Sequence, residues 1–222
     1  PKRVDSIKPK ILPRFKTKKS NRYLFILLIT ICTSNGSDLL EKQEVRLKNI
    51  QQLTFSGENA EGYFSLDGSM LIYQSHDGDS LCDQIYTMDL YTRETKLVST
   101  GLGVTTCAYF EHPKCENIIY ASTHLGGSSC PPKPDYSRGY VWKLYPDYDI
   151  FKSTRDGKIL EQMTNSPGYD AEATVAFDGS KVLYTSITSG DLEVWSINTD
   201  GSNKTQLTCL LYTSPSPRDN SG

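Results

Sequence analysis

Short apolar runs alternate with polar runs along most of this chain, and the same order of runs occurs three times. The three stretches are 53–95, 98–163 and 163–208. Each contains an apolar segment, a polar hairpin, a Tyr-x-Ser triplet and a further apolar strand, and each opens with an apolar residue followed by Thr or Ser. The opening pairs are Leu53-Thr54, Val98-Ser99, Met163-Thr164 and, once more, Leu207-Thr208. Repeats of about 40–50 residues with four short strands are typical of β-propeller blades.

The spacing of the opening pairs supports this interpretation. Successive pairs are 45, 65 and 44 residues apart, so two repeats agree within one residue. The additional residues of the middle repeat fall between Ser122 and Tyr148, where Gly and Pro are frequent, and we interpret them as an inserted loop. An antiparallel sandwich is the alternative, but it would not explain why residue identities recur together with the spacing.

The repeat therefore predicts an all-β fold, a partial β-propeller of about three four-stranded antiparallel blades. The predicted blades cover about 47–97, 98–162 and 163–208 of a domain at 38–208. An N-terminal extension with a signal peptide is predicted at 1–37, and an artefactual or disordered tail at 209–222. One blade cannot bury both of its faces, so any function belongs to the ring.

Charge is distributed unevenly along the 222 residues. The formal net charge is −2, but residues 1–22 hold nine basic residues and one acidic residue. Without that segment and the charged pair near the C-terminus, the chain has 14 basic and 24 acidic residues. A domain this acidic repels phosphate backbones, which excludes nucleic acid as an expected partner.

An apolar run at 23–32 follows a basic segment and precedes small polar residues. It is too short to span a bilayer as a helix, and it has the length and basic flank of a signal-peptide core. We therefore predict export to the periplasm or the extracellular space. A buried element is one alternative; another is lipoprotein anchoring through Cys32, although Ile31 before it is bulky.

The segment from Cys209 to Asp219 reads CLLYTSPSPRD. It resembles the translation of a transposon-type sequencing adapter and replaces the repeat where a new blade should begin. We expect further blades in the natural protein; a disordered Ser/Pro tail is the alternative.

Two segments carry a family resemblance. Asp-Gly-Ser-Lys-Val-Leu-Tyr-Thr-Ser at 178–186, and 191–202 running into Gln206-Leu207-Thr208, resemble the PD40 (WD40-like) repeat of TolB-type propellers. The resemblance covers about residues 47–208, although the usual Ser-Pro-Asp-Gly turn lacks its proline here. It implies a ring of six blades, with about three missing from this chain. It also implies an exported protein that acts in binding or as a scaffold.

Aligning the repeats places Glu61, Cys107 and Glu172 at one position of the inner strand. Because inner strands line the channel of a propeller, both carboxylates should lie near one mouth, with Asp170 close by. They could bind a cation or a basic peptide group. The alternative is a structural role, in which each Glu caps or bridges neighbouring blades.

Two of the six cysteines fall in the predicted signal peptide and in the tail; the others are Cys82, Cys107, Cys115 and Cys130. Propeller topology places all of these on one face except Cys115, which lies in a hairpin on the other. Export permits disulfides. We predict one bond from Cys107 to either Cys130 or Cys82, with Cys115 free. No metal site is predicted, because C-x-x-C is absent and the three His are scattered.

The insertion from Thr123 to Asp147 is the most individual segment of the chain. Long loops on a rigid scaffold often bind ligands, and Tyr, Trp and Arg are frequent anchors. The candidate ligand-binding residues are His124, Tyr136, Arg138, Tyr140 and Trp142. Alternatively, the loop only covers the face and packs on itself.

Catalysis has little support in the sequence. There is no G-x-S-x-G nucleophile motif, and no cofactor is predicted. The favoured function is a non-catalytic scaffold that binds a protein or a cell-envelope ligand. The alternative is the propeller of a larger exported enzyme, a prolyl-oligopeptidase-like hydrolase or a lyase, whose catalytic part is missing.

Overall fold

The computed structural model describes residues 46–77, 82–139 and 141–209. The chain divides into two units, Pro1–Gln51 and Gln52–Gly222. Only residues 46–51 of the first unit are described, and they form no helix or strand. The predicted signal peptide, the adapter-like segment beyond Cys209 and the candidate residue Tyr140 lie outside the described residues.

Strands of the second unit form three four-stranded antiparallel sheets. Blade 1 comprises β1 (Glu58–Phe64), β2 (Met70–His76), β3 (Gln84–Asp89) and β4 (Thr95–Leu97). Blade 2 comprises β5 (Thr105–Phe110), β6 (Asn117–Ser122), β7 (Asp149–Thr154) and β8 (Ile159–Gln162). Blade 3 comprises β9 (Asp170–Val175), β10 (Lys181–Ser186), β11 (Glu193–Asn198) and β12 (Thr205–Gln206).

Within each sheet the strands pair in chain order, as a meander whose outermost strand is short. The predicted all-β fold, a partial propeller of three four-stranded blades, is confirmed. The described part of the chain holds no helix at all, and hence none long and apolar enough to cross a membrane.

Asp-Gly turns connect the first two strands of blades 1 and 3. Gly68 and Gly179 adopt positive φ angles of 69° and 72°, which favour glycine because it has no Cβ. At Gly179 a Cβ would also collide with the backbone carbonyl of His112 in blade 2. This turn therefore needs glycine both for its own conformation and for the close approach of two blades.

The Thr or Ser of each opening pair connects the outer edge of a blade to its third strand by hydrogen bonds. In blade 2, Thr164 Oγ1 accepts a hydrogen bond from the Ile150 N–H at 2.9 Å and donates one to Asp149 Oδ1 at 2.9 Å. Ser99 and Thr208 make the equivalent bonds in blades 1 and 3. The recurrence of Thr or Ser after an apolar residue thus has a local structural cause.

Apolar side chains are buried mainly between consecutive blades. The cluster between blades 1 and 2 contains Ile72, Ile85, Val98, Ala108, Phe110, Cys115, Ile118, Tyr120 and Phe151. The cluster between blades 2 and 3 contains Ile119, Ile150, Met163, Ala173, Val175, Val182, Tyr184 and Ile197. Burial of apolar area is the main stabilising term in folding, so each blade depends on its neighbours.

The insertion of the middle repeat is the loop between β6 and β7. It covers residues 123–148, whereas the corresponding loops of blades 1 and 3 cover residues 77–83 and 187–192. Its described residues contain no strand. The Gly103 N–H donates a hydrogen bond to the Ser128 carbonyl at 3.1 Å, which holds the insertion against the loop preceding β5.

One disulfide joins Cys82, before β3, to Cys130 in the insertion, with a Cα–Cα distance of 5.6 Å. Cys107 is free, so the predicted bond from Cys107 is wrong. The reason is a β-bulge in β5 between Thr106 and Tyr109, where Cys107 has a left-handed φ of 53° and lines a cavity together with Glu61 and Glu172. Cys115, which was expected to be free, makes no disulfide.

Candidate functional site

The inner strands of all three blades are interrupted at the same place by a β-bulge. The register of each inner strand with its neighbour shifts between Ala60 and Tyr63 in β1 and between Thr106 and Tyr109 in β5. The same shift occurs in β9 between Ala171 and Thr174. A bulge bends the strand and re-aims a side chain, and bulges are frequent next to functional sites.

The first bulge residue of each blade has a left-handed backbone. The φ angles are 51° at Glu61, 53° at Cys107 and 59° at Glu172. Such a conformation costs a non-glycine residue about 1–2 kcal/mol. These are the three residues that repeat alignment places at one position, so the strained conformation is a regular feature of the inner strand.

The three bulge residues line one cavity of about 190 Å³, which we call the bulge cavity. Trp142 of the insertion contributes to the same cavity, so the loop of blade 2 reaches all three inner strands. The other lining residues are Tyr63, Tyr109, Ala173 and Thr174. The cavity therefore combines two carboxylates, one thiol and three aromatic rings.

Hydrogen bonds orient both carboxylates. The Tyr63 hydroxyl donates to Glu61 Oε2 at 2.8 Å, and the Thr185 hydroxyl donates to Glu172 Oε2 at 2.9 Å. The bond to Glu61 raises the pKa of Tyr63 to about 12, because the phenol proton is held by a carboxylate. Each of these bonds uses one carboxylate oxygen, and the other oxygen can accept from a ligand.

Cys107 lines the same cavity as the two carboxylates, and its thiol is protonated at neutral pH. Burial raises its pKa to about 11, and the negative charges of Glu61 and Glu172 act in the same direction. Its backbone N–H donates to Gln74 Oε1 of blade 1 at 3.1 Å. A thiol with this pKa is a poor nucleophile at neutral pH.

A larger cleft of about 480 Å³, the insertion cleft, adjoins the bulge cavity and shares Glu61, Cys107 and Trp142 with it. Its wall is rich in aromatic side chains. Tyr136 and Tyr145 come from the insertion, and the remaining aromatic lining residues are Tyr148 and Tyr169.

The aromatic wall is held together by direct contacts. The Trp142 indole N–H donates to the Tyr169 hydroxyl at 3.3 Å. The rings of Tyr148 and Tyr169 meet edge to face, with centroids 5.5 Å apart. The Tyr145 hydroxyl donates to the Pro132 carbonyl at 2.8 Å, which ties two parts of the insertion together. Burial raises the pKa of Tyr148 and of Tyr169.

A polar network that the repeat does not predict lies at the blade 1 side of the insertion cleft. Asp83 Oδ1 is 2.5 Å from His76 Nδ1, and the Gln74 amide donates to Asp83 Oδ2 at 3.0 Å. Because Gln74 also accepts from Cys107, the network connects blade 1 to the bulge of blade 2. Blades 2 and 3 have Ala121 and Thr185 in the place of Gln74, so no recurring residue marked this position.

The other candidate residues are placed differently. Tyr136 lines the insertion cleft, but His124 and Arg138 line neither cavity. His124 packs against the Phe151 ring with centroids 4.3 Å apart, and its Nδ1 lies 3.0 Å from Ser122 Oγ. Partial burial lowers the pKa of His124.

Asp170 does not reach the mouth of the propeller channel either. It is 1% exposed, and its two carboxylate oxygens have no hydrogen-bond partner in the described part of the chain. Burial raises the pKa of Asp170, although the nearby hydroxyls of Ser186 and Thr164 partly offset this effect. Those hydroxyls bond to Thr188 and Asp149 instead. Across the described ranges, no group of three or more His, Cys, Asp or Glu could hold a metal ion.

Solved structures with the same fold include two TolB proteins. TolB from Acinetobacter baumannii is 22% identical over 70% of this chain and 34% of its own, with a TM-score of 0.52. A TolB-type protein from Agrobacterium tumefaciens is 19% identical over 69% of this chain and 50% of its own, with a TM-score of 0.55.

Hydrazine synthase from Kuenenia stuttgartiensis is similar over 70% of this chain and 26% of its own, at 12% identity and a TM-score of 0.50. No protein-family profile and no curated sequence matches the chain. At these identities the similarity establishes the TolB-like β-propeller fold. The chain spans between a third and a half of the two TolB structures.

Proposed function

We propose that this protein is an exported, non-catalytic scaffold that binds a basic group of a protein or cell-envelope ligand in the bulge cavity. The observation that carries the proposal is the convergence of three left-handed bulge residues on one cavity that Trp142 also lines. Strained residues persist where the surrounding structure enforces them, and they cluster at functional sites.

The charges of the cavity favour a cationic group. Glu61 and Glu172 line the bulge cavity, and Glu58 and Asp83 line the adjoining cleft. Lys143 is the basic residue of the cleft lining, and its ammonium lies 5.1 Å from the centre of the Tyr145 ring. An ammonium or guanidinium ligand would therefore meet an excess of carboxylates.

The aromatic lining supports the same ligand class. Trp142, Tyr63 and Tyr109 line the same cavity as the two carboxylates, and the faces of such rings attract cations. The rings of Tyr63 and Tyr109 are in contact, with centroids 4.8 Å apart. Aromatic residues also supply much of the binding energy at protein interfaces.

Export is supported by the Cys82–Cys130 disulfide, because such bonds persist in oxidising compartments. A scaffold role is supported by the chemistry of the cavity. Its thiol is held protonated, and its carboxylates are engaged with the Tyr63 and Thr185 hydroxyls rather than with a nucleophile.

Tryptophan fluorescence tests the proposal directly. The chain contains two tryptophans, so a Trp195→Phe background leaves Trp142 as the only reporter. A Lys-Gly-Lys-Gly-Lys peptide should change this fluorescence saturably, and added salt should weaken the binding. The double variant Glu61→Gln/Glu172→Gln should bind the peptide at least about tenfold more weakly, a difference of about 1.4 kcal/mol.

Glu116→Gln is the matched control, because Glu116 is exposed and lines neither the bulge cavity nor the insertion cleft. This variant should bind like the wild type. A Glu-Gly-Glu-Gly-Glu peptide should not bind. The proposal fails if the acidic peptide binds as well as the basic one, or if the double variant retains full affinity.

A further inference from the structure

The insertion presents large aromatic side chains to solvent from a segment that is held in place. Tyr136 and Trp142 are 51% and 55% exposed, and both line the insertion cleft. The backbone N–H and the hydroxyl of Ser137 each donate to the Asp135 carboxylate at 2.9 Å. The Gly139 N–H donates to the Tyr136 carbonyl at 3.0 Å and closes this turn. Exposed aromatic rings on an ordered segment are typical of recognition surfaces.

The rings of the insertion cleft form a connected aromatic wall. The indole of Trp142 bonds to the hydroxyl of Tyr169, whose ring contacts that of Tyr148. The Tyr148 ring in turn lies near that of Tyr145, with centroids 6.3 Å apart. Tyr136 lines the same cleft. Such a wall offers π faces and ring edges to a ligand whose own flat face carries C–H groups.

The blade 1 side of the cleft is rich in hydrogen-bond acceptors. Its lining includes the carboxylates of Glu58, Glu61 and Asp83. A carboxylate offers about four acceptor sites. Asp83 contacts His76 through one oxygen and the Gln74 amide through the other, which leaves acceptor sites for a ligand. This side therefore favours a ligand that carries several donors, such as hydroxyl groups.

The aromatic wall and the acceptor-rich side together match the chemistry of a sugar ring. A pyranose has faces of C–H groups, which pack on aromatic rings, and a rim of hydroxyl groups, which donate to carboxylates. The cleft has a volume of about 480 Å³, within the range of about 300–1,000 Å³ that is typical of small-ligand sites.

The charges of the cleft determine which kind of sugar fits. Among the described residues, its lining holds three carboxylates and one ammonium group, that of Lys143, so an acidic sugar would be repelled. Glu61 also lines the bulge cavity, where Glu172 adds a further carboxylate. A sugar in the cleft can therefore direct an amino group to the carboxylates that attract a basic group.

We propose that the insertion cleft binds a glycan with free amino sugars. The sugar ring packs on the aromatic wall, and its ammonium group is directed towards Glu61 at the boundary with the bulge cavity. This inference rests on the proposed function, because the ammonium group is the basic group of that proposal. It identifies the ligand as an amino-sugar glycan.

Isothermal titration calorimetry with a trisaccharide of glucosamine tests this inference on the full 222-residue chain. At mildly acidic pH, where its amines are charged, the trisaccharide should bind saturably. The N-acetylated trisaccharide keeps the rings but lacks the charges, and it should bind more weakly. A trisaccharide of galacturonic acid should not bind, because its carboxylates meet those of the cleft.

Tyr136→Ala removes one ring from the wall and should weaken binding of the glucosamine trisaccharide about tenfold or more. Tyr136 does not line the bulge cavity, so the variant should bind the Lys-Gly-Lys-Gly-Lys peptide with much less loss. Tyr136→Phe keeps the ring and should retain affinity for the sugar. Tyr91→Ala is the matched control, at an exposed tyrosine that lines neither cavity, and should bind both ligands like the wild type.

The two ligands separate failure of this inference from failure of the proposed function. A wild type that binds the basic peptide but not the glucosamine trisaccharide would overturn the inference and leave the proposed function intact. A wild type that binds neither would refute both. Equal affinity for the charged and the N-acetylated trisaccharides, or a Tyr136→Ala variant that binds the sugar like the wild type, would also overturn the inference.

Discussion

Replacing Thr164 by Val tests whether the recurring hydroxyl stabilises the fold as its contacts indicate. The substitution keeps the shape of the side chain and removes both hydrogen bonds, the one accepted from the Ile150 N–H and the one donated to Asp149. Thr164 is 1% exposed and Ile150 is 0% exposed, so water cannot replace the lost partner.

The expected loss of stability follows from this burial. An unsatisfied buried donor costs about 1–3 kcal/mol, and a carboxylate that loses a donor adds to the cost. Asp149 still accepts from the Gln162 amide at 3.0 Å, which limits the second contribution. We expect Thr164→Val to lower the free energy of unfolding by about 2–3 kcal/mol.

Thr208 provides a matched control because it bonds the Val194 N–H and Glu193 in the same way but is exposed. Water can take the place of the hydroxyl beside the exposed Val194, but Glu193 is 4% exposed and loses a donor, so Thr208→Val should cost about 1 kcal/mol. With a urea m-value of about 2 kcal/mol/M, the midpoint should fall by roughly 1–1.5 M for Thr164→Val and by only about 0.5 M for Thr208→Val. Equal losses for the two variants would refute the assignment of the stabilisation to the buried hydroxyl.

Two further predictions concern the disulfide and a buried charge. Cys130→Ser opens the disulfide loop, which has a sequence separation of 48, and should lower the free energy of unfolding by about 4 kcal/mol. Cys107→Ser removes no disulfide and should change the free energy of unfolding little. Equal urea midpoints for the two variants would contradict the stabilising role of the Cys82–Cys130 bond. Burial raises the pKa of Asp170 above its unfolded value of about 3.9, so the folded state holds the proton of this carboxyl group more tightly than the unfolded state. The stability that the protonated Asp170 contributes is therefore lost as the pH rises through the raised pKa. Asp170→Asn should therefore increase the melting temperature at pH 7 and have less effect near pH 4, and an unchanged difference across this range would contradict the assignment.

Much of the fold was predictable because its contacts recur along the chain. The opening pairs and the Asp-Gly turns are local features, and their spacing alone indicated three four-stranded sheets. The same alignment placed Glu61, Cys107 and Glu172 at one position, and the structure brings these residues to one cavity. Residues at the same position of repeated inner strands lie at the same level of their blades and on the same face of the strand.

The incorrect disulfide arose where a local backbone feature overrode the topology. Cys82, Cys107 and Cys130 were expected on one face, which permitted several pairings. The left-handed bulge at Cys107 directs this residue to the bulge cavity and leaves Cys82 to pair with Cys130. The repeat does not reveal the bulge, because the bulge residues are Glu and Cys, and non-glycine residues rarely adopt a left-handed backbone.

Contacts between non-repeated residues were not predictable. Gln74, Asp83 and His76 meet only because the chain folds as a hairpin, and the other blades have different residues there. The aromatic wall of the insertion cleft depends on the path of a long loop, which has no periodicity from which it could be deduced.

The central claim is that the bulge residues serve binding rather than stability, and Glu172→Gly tests it most directly. Glycine relieves the left-handed strain of about 1–2 kcal/mol, offset by the lost bond from Thr185 and by greater freedom of the unfolded chain. We predict that the free energy of unfolding is unchanged or up to about 1 kcal/mol higher. Affinity for the Lys-Gly-Lys-Gly-Lys peptide should fall, whereas Glu116→Gly should lower stability and leave affinity unchanged. A Glu172→Gly variant that loses stability and binds the peptide like the wild type would contradict the account.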